Sequence, residues 1–300
     1  MLSSSYPYTN LKRRLSAYVV VLALAGLLSA CGGNDLSDLD ALAKQSILNN
    51  SETIELTAQL SVEQLVSPVP VTSDSDAVAQ LYVNLASNEI SGHVNITPTH
   101  NAMVQQVQIR RGFGGQNGDP VLDDLVRDTV DSNQWYIKGN SLLSDEVVEL
   151  LLSGGLYVLV TTAKHMNGEL RGQLLLDGQE LLITELSGVE LIPQVTTSAS
   201  GKAFLTPIGF DGTAQAVVRV SDITPVNVML FRVNNPNTTE TGQVLYPLEE
   251  RQDFWELPSG KFTFGQKEFN DISNGKLMFV VTSADFPLGE IGGKIMYISQ

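Results

Sequence analysis

Cysteine, histidine and basic residues are the scarce commodities of this 300-residue chain. Its single cysteine, Cys31, excludes an intrachain disulfide framework, so the fold must rest on buried apolar surface. Three histidines, His93, His100 and His165, are too few and too scattered for a transition-metal centre, which needs convergent ligands with partners behind them. All three are expected in solvated loops. With no Gly-x-Ser-x-Gly elbow, Ser-His-Asp hydrolysis has no support either. Lys and Arg number 18 against 33 Asp and Glu, a net charge of −15. A surface of that sign repels phosphate backbones, so no nucleic-acid partner is expected. The glycine-rich stretch Gly112-Phe113-Gly114-Gly115 leads into Asp119-Pro120 rather than a helix N-terminus, which argues against a phosphate cradle.

What is present begins with an address. Lys12-Arg13-Arg14 precedes an uncharged, largely apolar stretch from Leu15 to Ala30, the pattern of an export signal. Sixteen helical residues span about 24 Å, short of the ~30 Å bilayer core, so cleavage is favoured over a permanent span. Leu28-Ser29-Ala30-Cys31 resembles the bacterial lipobox. That resemblance implies a signal peptide over 1–30, acylation of Cys31 with palmitate-type chains, and a membrane partner through the lipid. Two or more acyl chains anchor stably where one is marginal. Gly32-Gly33 follow without an Asp, which in enteric-type lipoproteins implies forwarding to the outer membrane. The expected location is the cell envelope, with its periplasmic or surface face open. Loss of Lys12, Arg13 and Arg14 leaves 15 basic against 33 acidic residues, a net −18. Residues 31–51 read as a lipidated tether, with Gly-Gly at its start and Asn49-Asn50-Ser51 at its end.

The rest of the chain is written twice. Gly154 to Leu174 recurs at a constant offset of 121 residues, with 8 of 21 positions identical. Val160-Thr161-Thr162-Ala163 and Gly168-Glu169-Leu170-Arg171-Gly172 return as Val281-Thr282-Ser283-Ala284 and Gly289-Glu290-Ile291-Gly292-Gly293. Trp135 and Trp255, 120 residues apart, are the expected core anchor of each copy. A fixed offset means a duplicated folding unit.

Each copy reads as β-structure. Apolar residues alternate with polar ones at Ile54, Leu56, Ala58, at Leu81, Val83, Leu85, and around Val104, Val107, Ile109. Gly, Pro, Asn and Asp punctuate at roughly ten-residue intervals, which favours an antiparallel sandwich. One short helix per copy is expected. In the first it starts at a Ser144 cap and closes at Gly154; in the second it covers Phe269 to Gly275. A hairpin over Leu156–Thr162 and Glu169–Leu176 turns at Asn167-Gly168. Its return strand puts Leu170, Gly172 and Leu174 on the buried face, with Glu169, Arg171 and Gln173 opposite. Glu169 and Arg171 are expected to form a solvent-exposed ion pair there. Gly172 and Gly293 fall on the buried side, where close backbone approach is expected.

These motifs resemble the CHRD domain, the module first named in chordin. Leu186-Ser187-Gly188-Val189-Glu190, with Pro193 beyond, is similar to its opening. Tyr157-Val158-Leu159-Val160-Thr161 followed by Gly168-Glu169-Leu170-Arg171-Gly172-Gln173-Leu174 is similar to its close. The resemblance covers 52–178 and 182–299. It implies two tandem antiparallel β-sandwiches, immunoglobulin-like or superoxide-dismutase-like Greek keys. It also assigns structural roles to Gly168, Glu169, Arg171, Gly172, Gly289, Glu290 and Gly293. The family's paired histidines are replaced by Gln108 and Arg110 in the first copy and by Met229 and Phe231 in the second. Val160 and Val281 replace its late-strand histidine.

The expected function is therefore a non-catalytic envelope lipoprotein without a cofactor, presenting two modules to an envelope protein or polysaccharide. A Ca²⁺-dependent adhesion or polysaccharide-binding module is the alternative, drawing on Asp119, Asp123, Asp124, Asp128 and Asp131. A metal-dependent redox enzyme is a third reading, weakened by the missing histidines.

Overall fold

The computed structural model describes residues 53–66, 71–97, 104–139, 141–208, 212–234, 242–258, 263 and 265–297. The export signal, Cys31, the tether and His100 lie outside the described residues. From Glu52 onward the chain forms one compact unit that contains both copies of the repeat.

The first copy runs β1 (Thr53–Leu60), β2 (Ala77–Asn84), β3 (Glu89–Ile96), β4 (Val104–Arg111), β5 (Val126–Arg127), β6 (Gln134–Tyr136), β7 (Ser141–Leu142), α1 (Asp145–Leu152), β8 (Leu156–Thr162) and β9 (Leu170–Leu176). The second follows with β10 (Leu182–Ser187), β11 (Ser200–Ile208), β12 (Thr213–Ser221), β13 (Asn227–Val233), β14 (Gly242–Pro247), β15 (Glu249–Glu250), β16 (Trp255–Glu256), α2 (Gln266–Ser273), β17 (Leu277–Thr282) and β18 (Ile291–Lys294). Every pairing is antiparallel. The order is β4-β8-β9-β1-β2-β3-β6-β5 in the first copy and β14-β13-β17-β18-β10-β11-β12-β16-β15 in the second. Both are all-β sandwich domains built to the same plan. The two halves of each path meet across a core drawn from alternate residues of every long strand, such as Leu56, Leu81, Val94, Ile109, Val158 and Leu174 in the first.

Local chemistry explains the elements. Ser144 caps α1, its hydroxyl accepting from the Val147 amide at 3.4 Å, and Gly154 closes the turn at φ +71°. The second helix starts three residues before the expected Phe269. There the Glu268 side chain accepts from the Gly265 amide at 3.1 Å, so a downstream carboxylate does what a serine does in the first copy. An arginine at the same repeat position ties each helix to the sheet. Arg111 donates to Glu146 at 2.6 Å, and Arg232 donates to Glu268 at 2.8 Å and forms an ion pair with Asp271 at 2.7 Å. The odd spacing from Val104 to Val107 is a β-bulge in β4 against β8, the irregularity that an extra residue creates.

Trp135 is buried in the first core, and Trp255 packs half-buried against the second. A Cβ on Gly172 would lie 2.8 Å from Leu60 Cγ and 3.0 Å from the Gln59 carbonyl, and one on Gly293 would collide with the Glu185 carbonyl. Both glycines are therefore places where strands approach too closely for a side chain.

Candidate functional site

The Gly-Glu motif at the end of each copy builds a small buried polar cluster. Gly168 and Gly289 adopt φ of +132° and +139°, a region that favours glycine, and each turns the chain so that the next residue points under a crossing segment. Glu169 is only 6 % exposed and Glu290 8 %. Glu169 accepts from Thr162 Oγ1 and from Ser73 Oγ, each at 2.7 Å. Glu290 accepts from Ser283 Oγ and from Thr197 Oγ1, the latter at 2.6 Å. The Ser73 and Thr197 hydroxyls in turn accept from the amides of Ser75 and Ala199. Both copies thus use one carboxylate to fasten the final hairpin to the segment that enters β2 or β11. Burying a carboxylate is costly unless its oxygens are hydrogen-bonded, and the hydroxyls supply those bonds.

The expected exposed ion pair between Glu169 and Arg171 does not form. Arg171 has no exposed surface at all. Its guanidinium stacks on the Tyr157 ring at 3.8 Å and donates to the carbonyls of Gln116 at 2.7 Å and Phe113 at 2.9 Å. Gln173 lies alongside, its amide donating to the carbonyls of Gly112, Gly154 and Leu156. Alternation placed these residues correctly opposite the core. That side is covered by the loop Gly112–Gly118, so the face is buried twice over. Burial pushes the Arg171 guanidinium down to about 10, with Tyr157 pulling it up and Arg219 pushing it further down. At neutral pH it remains charged.

Strand register fixes the correspondence between copies on this outer face. Gln108 pairs with Leu159 and Arg110 with Tyr157; Met229 pairs with Val280 and Phe231 with Met278. Gln108 and Arg110 therefore occupy the places of Met229 and Phe231, and Tyr157 that of Met278. In the first copy the face is polar. Arg110 donates to Gln108 at 2.7 Å and to the Gly118 carbonyl at 2.8 Å, and Gln108 donates to Asp124 at 2.7 Å. The second copy fills it with an apolar cluster of Leu191, Val233, Met278 and Val280, flanked by Met229 and Phe231. Gly292 replaces Arg171, and a Cβ there would already meet Leu191 at 2.7 Å. Val160 and Val281 lie in the two cores.

The pattern that defines the CHRD domain matches residues 56–174 and 182–295. The chain belongs to the CHRD-domain family. Its two CHRD domains correspond to the two sandwiches, and comparison with curated proteins gives no match.

The remaining candidates are dispersed. His93 sits on β3, paired with Gln80 and Tyr136, and so is a strand residue rather than the expected loop histidine. His165 is in the hairpin turn, its carbonyl accepting from the Gly168 amide. The acidic run serves local ends: Asp124 accepts from Gln106 and Gln108, Asp128 from the Val130 and Asp131 amides, and Asp131 from the Asn133 amide. The Asp131 and Val130 amides hold the Asp128 carboxyl below its usual range. Among the described residues no three His, Cys, Asp or Glu side chains gather in a metal-holding group. Also among them, no helix is long and apolar enough to cross a membrane. Two open grooves border Asp124. One, of about 540 Å³, also meets Leu122, Lys138 and Leu142; the other, of about 440 Å³, meets Gln106, Thr161 and Met166.

The Glu169 and Glu290 clusters, and the covering of Arg171, were missed by sequence reasoning. A signal for the first was available: Thr162 and Ser283 both carry hydroxyls 121 residues apart, beside the repeated Gly-Glu. For the second there was only the unexplained crowding of glycines at 112–118.

Proposed function

We propose that this protein is an envelope lipoprotein: exported, cleaved before Cys31, acylated there, and holding its two CHRD domains off the membrane on residues 31–51 as a non-catalytic binding or scaffolding surface. The observation that carries the reading is the order Lys12-Arg13-Arg14, an uncharged run, then Leu28-Ser29-Ala30-Cys31, with that cysteine the only one in 300 residues. CHRD is a non-enzymatic domain family, which supports a binding role. The absence of an Asp directly after Cys31 supports the outer membrane as destination. Envelope proteins or polysaccharides are the partners this location offers.

The test is Cys31→Ser in cells that also receive a palmitate analogue. The expected result is a folded protein that leaves the membrane fraction and loses the label. Continued membrane association of the unlabelled variant would overturn the anchor.

A further inference from the structure

The loop that covers Arg171 has a second face. Phe204 and Val217 are 1 % and 0 % exposed, yet they belong to neither domain's core cluster. They lie on the outer side of β11 and β12, and the backbone of Gly114 and Gly115 packs against them. A Cβ on Gly114 would stand 2.6 Å from Leu181 Cδ1, and one on Gly115 would stand 2.6 Å from Phe204 Cδ2 and 2.8 Å from Val217 Cγ1. The glycines are required because the chain itself is the contacting surface. Polar contacts ring the apolar patch. The Gly114 amide donates to Thr206 Oγ1 at 3.0 Å, Arg219 Nε donates to the Gly115 carbonyl at 2.6 Å, and Gln116 Nε2 donates to Glu256 at 3.0 Å. Thus one short loop is gripped from both sides. Arg171 and Gln173 of the first domain hold the carbonyls of Gly112, Phe113 and Gln116, and the second domain takes Gly114 and Gly115.

The receptor exists in one domain only. Trp135 pairs with Val94 and Tyr136 with His93; Trp255 pairs with Val218 and Glu256 with Val217. Matching the tryptophans puts Val217 in the place of His93. Phe204 pairs with Val217, and Gln80 with His93, so Phe204 takes the place of Gln80. The apolar pair that receives the loop is a polar pair in the first domain, which offers no equivalent seat for a further module.

We propose that loop Gly112–Gly118 is a latch that couples the two CHRD domains into one folding and mechanical unit, with Phe204 and Val217 as its receptor and Arg171 as the positioning residue that shapes it. The latch fixes the relative geometry of the two outer surfaces, so a ligand contacting both would meet a preorganised pair.

The test uses the full chain in two variants that attack the latch from opposite sides. Phe204→Gln with Val217→His installs the first domain's own residues at positions outside either core. Arg171→Met keeps the apolar stem and removes the carbonyl grip. Calorimetry of the wild type is expected to give one transition, and each variant two, with a larger radius of gyration by small-angle scattering at unchanged circular dichroism. Two transitions in the wild type would overturn the latch. So would one transition and an unchanged radius in the double variant. A lower melting temperature for Arg171→Met with the domains still melting together would reduce Arg171 to a purely local support. If either variant loses its β signature, Thr206→Val decides, because it removes only the acceptor for the Gly114 amide: splitting sustains the latch, and an undivided transition ends it.

Discussion

Glu169 and Glu290 carry the most local explanation of the repeated motif. Each is a carboxylate held by two hydroxyls, one seven residues earlier at the end of the preceding strand and one from the segment that enters β2 or β11. Replacing either Glu with Ala strands a buried hydroxyl, Thr162 or Ser283, and an unsatisfied buried polar group costs about 1–3 kcal/mol. Glu290→Ala is therefore expected to lower the unfolding free energy by that amount, read as a fall in the urea midpoint at unchanged slope, and to speed amide exchange at Ala199, whose N–H depends on the Thr197 hydroxyl. A midpoint equal to wild type would show that the cluster is not stabilising. Period-2 alternation correctly set Glu169 and Arg171 opposite Leu170 and Gly172. It carried no information on whether that opposite side met water. Arg171 could be assigned to a surface ion pair only by assuming that it did.

At the scale of elements, the sequence was most legible where local chemistry decides. The hairpin from Leu156 to Leu176 and its Gly168 turn follow from alternation plus a glycine that tolerates φ of +132°. The α1 helix follows from its serine cap and an apolar face of Val147, Val148 and Leu151. Ser144→Ala is expected to cost about 1 kcal/mol, read as a fall in thermal stability, because the cap satisfies an otherwise orphaned amide. No loss would mean that packing of the apolar face alone holds the helix. The start of α2 was less legible. Gly265 offers no side chain to mark the cap, and the compensating contact from Glu268 runs backward along the chain. The bulge in β4 was invisible as well, since a single inserted residue looks like a lapse in alternation until the partner strand is present.

For the molecule as a whole, charge is the property written most plainly in the sequence. A net −15 makes the folded state repel itself. Raising ionic strength from about 0.01 M to about 0.15 M shortens the screening length from ~30 Å to ~8 Å. The melting temperature is expected to rise, by the same amount in sodium and calcium salts of equal ionic strength. A distinctly larger rise in calcium would revive the acidic run around Asp124 as a cation site.

Duplication, strand period, turn glycines and the lone thiol are properties of neighbouring residues, or of a simple offset, and so could be read directly along the chain. Whether Arg171, Phe204 and Val217 face solvent depends on a loop that arrives from another strand or another domain. No periodicity encodes such an arrival, because alternation distinguishes only the two sides of a sheet. The third dimension decides which of those sides acquires a cover, and here it made a polar face into an interior and a glycine-rich loop into a joint.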